Sequence, residues 1–242
     1  MKNYKLLIQY DGTNYAGWQI QKNSITVQQN ISEATKTLLK VDVNLIGSGR
    51  TDSGVHALGQ VANFRTENAI DIYRFRHSLN SILPLDISIV KMEETNEDFH
   101  ARFDAKKRSY IYLMTQIKSP FYKNYSYFYP SKIDLEKLNE ISKYFLGEKD
   151  FTSFSKKNNA IDNKNCTVFD LRWKKNGDLI LFYIKANRFL HGMVRAIAGT
   201  ILKSQISENP VQLIMDIFKS QNREAASDSV PSKGLFLYKV EY

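Results

Sequence analysis

The sequence predicts an α+β fold made of two halves, and three observations predict it. Residues 1–104 alternate short apolar strands with amphipathic helices in the order β-α-β-β-α-β, and residues 105–242 repeat that order with one added helix. Hydrophobic residues make up 43% of the chain and charged residues 24%, which is typical of a protein that forms a sizeable core. We therefore expect two split β-α-β halves, although no residue-level repeat relates them.

The first half begins with a strand followed by a capped helix. Thr26, followed three residues later by Gln29, has the pattern that caps a helix, and Pro84 ends the second helix of this half. The predicted elements are strands at about 4–10, 42–47, 59–65 and 86–92, and helices at about 27–39 and 72–83.

The second half contains the clearest turn signal of the chain, Asn176-Gly177, which predicts a hairpin. The predicted elements are strands at about 108–115 and 235–241, a hairpin at about 167–186, and helices at about 134–146, 190–204 and 211–219. We expect two ferredoxin-like (RRM-like) halves, 1–104 and 105–242, that form one continuous antiparallel sheet. In this arrangement the helices cover one face of the sheet, and we expect a central cleft as the place for a functional site.

Positive charge is concentrated in the second half. The chain has a net charge of +9, but residues 1–100 carry 10 Lys and Arg against 11 Asp and Glu, whereas residues 101–242 carry 24 against 14. Uneven basic charge together with 14 Tyr and 14 Phe is what a nucleic-acid binder needs, because cations neutralise phosphates and rings stack on bases. A generic basic protein explains the charge alone equally well.

Several classes of protein are excluded by missing patterns. The longest apolar run, Leu179 to Ile184, is far shorter than the roughly 20 residues of a membrane-spanning helix, and the first residues lack a secretory apolar region. The single cysteine, Cys166, leaves no disulfide framework and no Cys-Cys metal site. Phosphate-loop, dinucleotide-binding and zinc-protease motifs are also absent from the sequence. We expect a cytoplasmic protein that uses no metal.

The segment from Gly47 to Ala57 is the strongest candidate for chemistry. Three glycines within eight residues let the backbone approach a ligand closely, and Arg50 places a cation near Asp52, a potential nucleophile. A polar turn in which Asp52 only caps its own backbone is the alternative. An aspartic protease needs two such carboxylates, and the chain has one Asp-Ser-Gly triplet.

Residues 49–57 read Gly-Arg-Thr-Asp-Ser-Gly-Val-His-Ala. This segment resembles the catalytic G-R-T-D-x-G-V-H-A signature of the TruA family of tRNA pseudouridine synthases. Further matches occur in the family's order along the chain, at Tyr10 to Gln19, Phe99 to Phe103, Asp150 to Phe154, Met193 to Arg195 and Gly234 to Leu237.

The resemblance implies an isomerase that converts uridine to pseudouridine at positions 38, 39 and 40 of the tRNA anticodon stem-loop, as a homodimer and without a cofactor. Asp52 would be the nucleophile and would pair with Arg195. Tyr110 would stack on the target base, Arg50 would hold the place of the flipped nucleotide, and Leu235 is a further substrate-binding candidate. Whether Asp52 attacks the base or the ribose carbon stays open.

Two other points stay open at this level. A non-catalytic double RNA-binding module would explain the fold and the charge, but it would leave the Asp52 segment without a purpose. Four lysines are candidates for phosphate contacts, and they are Lys106, Lys107, Lys156 and Lys157. For Lys156 and Lys157 a solvated loop is an equally good interpretation.

Overall fold

The computed structural model describes residues 1–156 and 163–242, and the chain divides into two compact units. The first unit contains Met1–Lys106 and Phe236–Tyr242, and the second contains Lys107–Leu235. The boundary between the two units at Lys106 and Lys107 lies close to the predicted boundary between residues 104 and 105. The last seven residues, which the prediction placed in the second half, belong to the first unit because their strand pairs there.

The first unit is built on an antiparallel sheet with two helices. Its elements are β1 (Lys2–Tyr10), α1 (Val27–Leu39), β2 (Ile46–Gly47), β3 (His56–Thr66), α2 (Ile72–Ile82) and β4 (Ile87–Thr95). The strand β1 lies between β4 and β3 and is antiparallel to both. Alternate residues of β1 are buried, and they are Tyr4, Leu6, Ile8 and Tyr10. This period of two is the pattern that predicted the strand.

The helix caps of the first unit agree with the sequence. The Thr26 side chain accepts a hydrogen bond from the Gln29 backbone N–H at 3.3 Å, so the predicted N-cap and the bounds of α1 are confirmed. The predicted strand at 42–47 is reduced to the two residues of β2. In contrast, β3 begins earlier than predicted. The prediction missed its first residues because buried polar residues such as His56 and Gln60 interrupt the apolar alternation that marks a strand.

The second unit carries the remaining elements. They are β5 (Lys107–Thr115), β6 (Tyr127–Phe128), α3 (Leu135–Ser142), β7 (Gly147–Asp150), β8 (Asn165–Asn176), β9 (Leu179–Ala186), α4 (Met193–Ser204), α5 (Pro210–Ser220) and the start of β10 (Leu235–Glu241). The strands β5, β9, β8 and β7 are antiparallel neighbours in that order. The predicted hairpin of β8 and β9 is confirmed, but its two turn residues are Gly177, at φ +56°, and Asp178, because Asn176 still belongs to β8 and pairs with Leu179.

Parallel strand pairs occur in both units, so the prediction of a wholly antiparallel sheet is wrong. Within the first unit, Phe236 of β10 pairs in parallel with His56 of β3. A Cβ at Gly59 would lie 2.4 Å from the Tyr238 carbonyl oxygen, so the missing side chain permits this approach. In the second unit, β6 pairs in parallel with β5. The strands β3 and β10 are far apart in sequence, and β6 has only two residues. Local periodicity cannot reveal such pairs.

The fold is mixed α+β with mostly antiparallel strands. The block Asp150 to Phe154 serves the core of the second unit, because Phe151 and Phe154 are fully buried and pack on Phe218. The helix α4 begins at Met193, later than predicted, since Gly192 before it has the left-handed φ of +74°. Among the described residues, no helix is both long and apolar enough to cross a membrane.

Candidate active site

The loop of residues 48–55, here named the Asp52 loop, connects β2 to β3 in the first unit. Asp52 is half-buried, while Arg50 is exposed. The Val55 backbone N–H donates to the Asp52 carbonyl oxygen at 3.2 Å, and Gly54 between them has φ +74°. This tight turn fixes the backbone of Asp52 and leaves its carboxylate near the surface.

The segment that follows β1 holds the Asp52 loop through backbone hydrogen bonds. The Trp18 N–H donates to the Thr51 carbonyl oxygen at 3.1 Å, and the Gly54 N–H donates to the Tyr15 carbonyl oxygen at 3.3 Å. The hydroxyls of Tyr10 and Thr51, both buried, share a hydrogen bond of 2.7 Å. Buried hydrogen bonds therefore flank Asp52 on both sides, so its position depends on the segment at 10–18.

Two glycines of that segment allow the two backbones to touch. A Cβ at Gly12 would lie 2.0 Å from the Val55 carbonyl oxygen, and a Cβ at Gly17 would lie 2.4 Å from the Thr51 carbonyl oxygen. Gly17 also has φ +97°, which L side chains rarely adopt. The match at Tyr10 to Gln19 thus has a structural explanation, because this block supports the candidate nucleophile.

His56 is a site residue that sequence reasoning missed. Its ring is 1% exposed and stacks on Phe236 at 4.6 Å between centroids. The Nδ1 atom lies 3.0 Å from the Gly12 N–H nitrogen and 3.0 Å from Asp11 Oδ1. These contacts are alternatives, because Nδ1 accepts from Gly12 when unprotonated and donates to Asp11 when protonated. The position of His56 directly after the loop was the available signal.

Tyr15 anchors the supporting segment. Its hydroxyl donates to Asp86 Oδ1 at 2.5 Å. Burial, and then the hydrogen bond and negative charge of Asp86, raise the pKa of Tyr15 well above its ordinary value. The phenol therefore stays protonated and keeps this bond at physiological pH.

Tyr110 lies on β5 of the second unit and is 8% exposed. Its ring meets the ring of Phe189 edge to face, with centroids 5.1 Å apart. Two residues along the same strand, Tyr112 is fully buried and donates its hydroxyl hydrogen to the Pro231 carbonyl oxygen at 2.8 Å. Burial raises the pKa of Tyr112, whereas the positive charge of Arg195 opposes that shift.

Arg195 and Leu235 also lie in the second unit. Arg195 is in the first turn of α4, and its Nε donates to the Val230 carbonyl oxygen at 2.7 Å. The Val230 N–H returns a hydrogen bond to the Arg195 carbonyl oxygen at 3.3 Å, so the guanidinium is oriented by the backbone. Leu235 is 5% exposed at the start of β10. The residue before it, Gly234, has no room for a Cβ, which would lie 2.7 Å from the Leu113 carbonyl oxygen.

The structure thus places Asp52 and Arg50 in the first unit and Tyr110, Arg195 and Leu235 in the second. The predicted pairing of Arg195 with Asp52 and the predicted central cleft stay predictions.

The candidate phosphate-binding lysines have different surroundings. Lys106 and Lys156 are exposed, whereas the Lys107 ammonium lies over the Phe169 ring, 4.9 Å from its centroid. Lys157 lies outside the described residues. Across residues 1–156 and 163–242, His, Cys, Asp and Glu side chains form no group of three that could hold a metal ion.

Comparison with known proteins agrees with the motifs. A family model described as tRNA pseudouridine synthase matches residues 6–104 and 141–242. Similar curated proteins are the tRNA pseudouridine synthases A of Caldicellulosiruptor saccharolyticus (44% identity) and of a Thermoanaerobacter species (39%), each over 244 residues and the full length of both chains. The tRNA pseudouridine synthase A of Brachyspira hyodysenteriae is 42% identical over 240 residues, which cover 98% of this chain and 96% of that protein.

The chain belongs to the tRNA pseudouridine synthase family. It is therefore an enzyme of the isomerase class, which converts uridine to pseudouridine.

Proposed function

We propose that this enzyme isomerises uridine at positions 38, 39 and 40 of the tRNA anticodon stem-loop, with Asp52 as the nucleophile and without metal or cofactor. The observation that carries the proposal is the Asp52 loop itself. It holds a carboxylate near the surface on a backbone that buried hydrogen bonds fix on both sides. A nucleophile fixed before the substrate arrives loses little entropy in the transition state.

The reaction is balanced without an added reagent. The N1–C1′ bond of uridine breaks, the uracil turns, and a C5–C1′ bond forms, while C5 loses a proton and N1 carries one in the product. Electrons are neither gained nor lost. Asp52 can serve by attacking either the ribose carbon or the base, because a fixed carboxylate suits both routes.

The target uridine must leave the helical stack before it reacts. Flipping costs a few kcal/mol, which stacking and phosphate contacts offset. We assign stacking on the base to Tyr110, whose ring is held by Phe189. Arg50, exposed on the Asp52 loop, would hold the place of the flipped nucleotide, and Arg195 and Leu235 would complete the binding residues. The first unit thus supplies the nucleophile and the basic second unit most of the RNA contacts.

Three further features of the prediction remain part of this proposal. They are the ferredoxin-like plan of each half, the homodimer and the cytoplasmic location. The family resemblance supports the first two, and the proposed tRNA substrate supports the third.

The test is release of tritium from C5 of labelled uridine in a tRNA transcript, measured with the wild-type enzyme and Asp52→Asn. We expect Asp52→Asn to abolish release while its Kd for the transcript stays within a few fold, because a nucleophile acts mainly in the transition state. Asp42→Asn is the control, since this exposed carboxylate pairs with Lys36 at the end of α1. Normal turnover by Asp52→Asn would support the non-catalytic RNA-binding module instead.

A further inference from the structure

The segment between β5 and α3 has an unusual composition. Residues 105–133 contain no Asp or Glu, but they contain six Lys and Arg and eight Tyr and Phe. Most of this segment lies beyond the candidate site residue Tyr110. It also falls between the two stretches that the family model matches, 6–104 and 141–242. The roles proposed above use none of its residues 116–132.

Residues 116–132, here named the aromatic-lysine loop, have a backbone fixed by hydrogen bonds. The Tyr129 N–H donates to the Thr115 carbonyl oxygen at 2.9 Å, beside the parallel pairing of β6 with β5. The Ser126 N–H and hydroxyl both donate to the Tyr122 carbonyl oxygen at 2.9 Å. A loop held in this way presents its outward side chains in defined positions.

The outward side chains are a ring and cations. Phe121 is 84% exposed, although its side chain is large and apolar. Lys118 and Lys123, three residues before it and two residues after it, are also exposed. An exposed aromatic ring flanked by lysines is the arrangement with which proteins bind unpaired nucleotides, because the ring stacks on a base and the cations neutralise phosphates.

We propose that the aromatic-lysine loop is an additional RNA-binding surface, on which an unpaired base of the tRNA stacks on Phe121 while Lys118 and Lys123 contact neighbouring phosphates. This inference rests on the proposed function, which makes tRNA the substrate. Charge favours RNA over a second copy of the chain. A twofold interface would bring the same cations of two copies together, and residues 105–133 offer no carboxylate to pair with them.

The experiment measures the Kd of the full-length protein for a tRNA transcript by filter binding at several salt concentrations, together with tritium release. Phe121→Leu removes the ring but keeps an apolar side chain, and we expect it to weaken binding about 5-fold or more. Phe121→Trp keeps a stacking ring and should bind like the wild type. Tyr73→Ala is the matched control, because this ring is 72% exposed on α2 of the first unit.

The charge contribution is tested with two double variants of equal charge change. Lys118→Gln with Lys123→Gln should lower the slope of log K against log salt by about 0.7 to 0.9 for each phosphate that is no longer neutralised. Lys174→Gln with Lys175→Gln, exposed near the tip of the β8–β9 hairpin, should leave the slope unchanged. At saturating RNA, all these variants should keep the wild-type kcat.

Two results would overturn the inference. One is an unchanged Kd and salt slope for both the Phe121→Leu and the Lys118/Lys123 variants while the wild type still binds the transcript. The other is a change in oligomeric state, seen as a changed molar mass in solution, in variants whose remaining wild-type-sized species binds RNA as the wild type does. That result would make the loop a protein interface. Failure of the proposed function differs from both, because it would appear as wild-type protein that binds RNA without tritium release.

Discussion

The Asp52 loop and the aromatic-lysine loop are held in place in two different ways. The Asp52 loop is pinned by another segment of its unit, which comes close enough only because Gly12 and Gly17 have no side chains. The aromatic-lysine loop is held by hydrogen bonds within itself and to β5, and it exposes Phe121. The position of Asp52 in the first loop therefore depends on residues of another segment. The proposed RNA binding by the second loop depends on its own outward side chains.

The largest expected effect comes from breaking the support of the Asp52 loop at Gly17. Gly17→Ala places a Cβ 2.4 Å from the Thr51 carbonyl oxygen at φ +97°. The strained backbone alone costs about 1–3 kcal/mol, and the clash adds to it. Because a shift of about 1 Å in a catalytic group can cost about 100-fold in rate, we expect turnover to fall at least that far.

Gly147→Ala is the control for this variant. Gly147 has a similar φ of +85°, but a Cβ there would meet no atom within 4 Å. We expect it to lose about 1–2 kcal/mol of unfolding free energy in urea and to keep its turnover. Equal turnover in both variants would show that the close approach at Gly17 does not position Asp52.

Removal of the Tyr110 ring should have the next largest effect. Stacking on a base contributes about 1–3 kcal/mol, and in its proposed role the ring acts mostly after the base has flipped. We therefore expect Tyr110→Ala to lower the single-turnover rate about 10-fold or more, with a much smaller change in Kd and an unchanged salt slope. Tyr183→Ala is the control, because β9 places it opposite Ile111 and hence on the other face of the sheet.

Local patterns predicted local elements well. Thr26 and the helical spacing after it predicted the bounds of α1, and Asn176-Gly177 predicted the β8–β9 hairpin. Both signals lie within a few residues of the structure that they specify. By contrast, β6 has two residues and β7 has four, so neither shows a measurable alternation. The return of β10 to the first unit is a long-range pairing that local periodicity cannot encode.

In the candidate site, too, the features set by nearby residues could be predicted and those set by long-range contacts could not. Asp52 was identified because its neighbours form a sequence motif, and its loop lies between two strands as expected. The roles of Gly12 and Gly17 depend on distances to Val55 and Thr51, which exist only after folding. His56 was not singled out because a single histidine without metal-ligand spacing does not by itself indicate a function, and its position directly after the Asp52 loop was the available signal. Its contacts with Gly12 and Phe236 identify it as part of the support.

A smaller effect on turnover should follow from removing the hydrogen bond between the hydroxyls of Tyr10 and Thr51, which supports the Asp52 loop. Tyr10→Phe leaves the buried Thr51 hydroxyl without its 2.7 Å partner, at a cost of about 1–3 kcal/mol in unfolding free energy. We expect kcat to fall about 5-fold with KM unchanged, since only the position of Asp52 changes.

Tyr4→Phe tests whether that reduction in rate is local. The Tyr4 hydroxyl accepts a hydrogen bond from the Ile70 N–H at 3.3 Å, and Tyr4 is fully buried. This variant should lose stability in urea but keep kcat. If both variants lose kcat in proportion to stability, the Tyr10–Thr51 bond has no specific function in catalysis.

The smallest expected effect on rate belongs to exposed cations that we expect to contact only phosphates. Phosphate contacts carry no sequence information, so Lys106→Gln with Lys156→Gln should weaken the binding of all tRNA transcripts similarly. The slope of log K against log salt should fall by about 0.7 to 0.9 for each phosphate left without its lysine, and kcat at saturating RNA should not change. Filter binding across salt concentrations measures the slope directly. An unchanged slope would mean that Lys106 and Lys156 are solvated surface residues and that the RNA is bound by other cations of the chain.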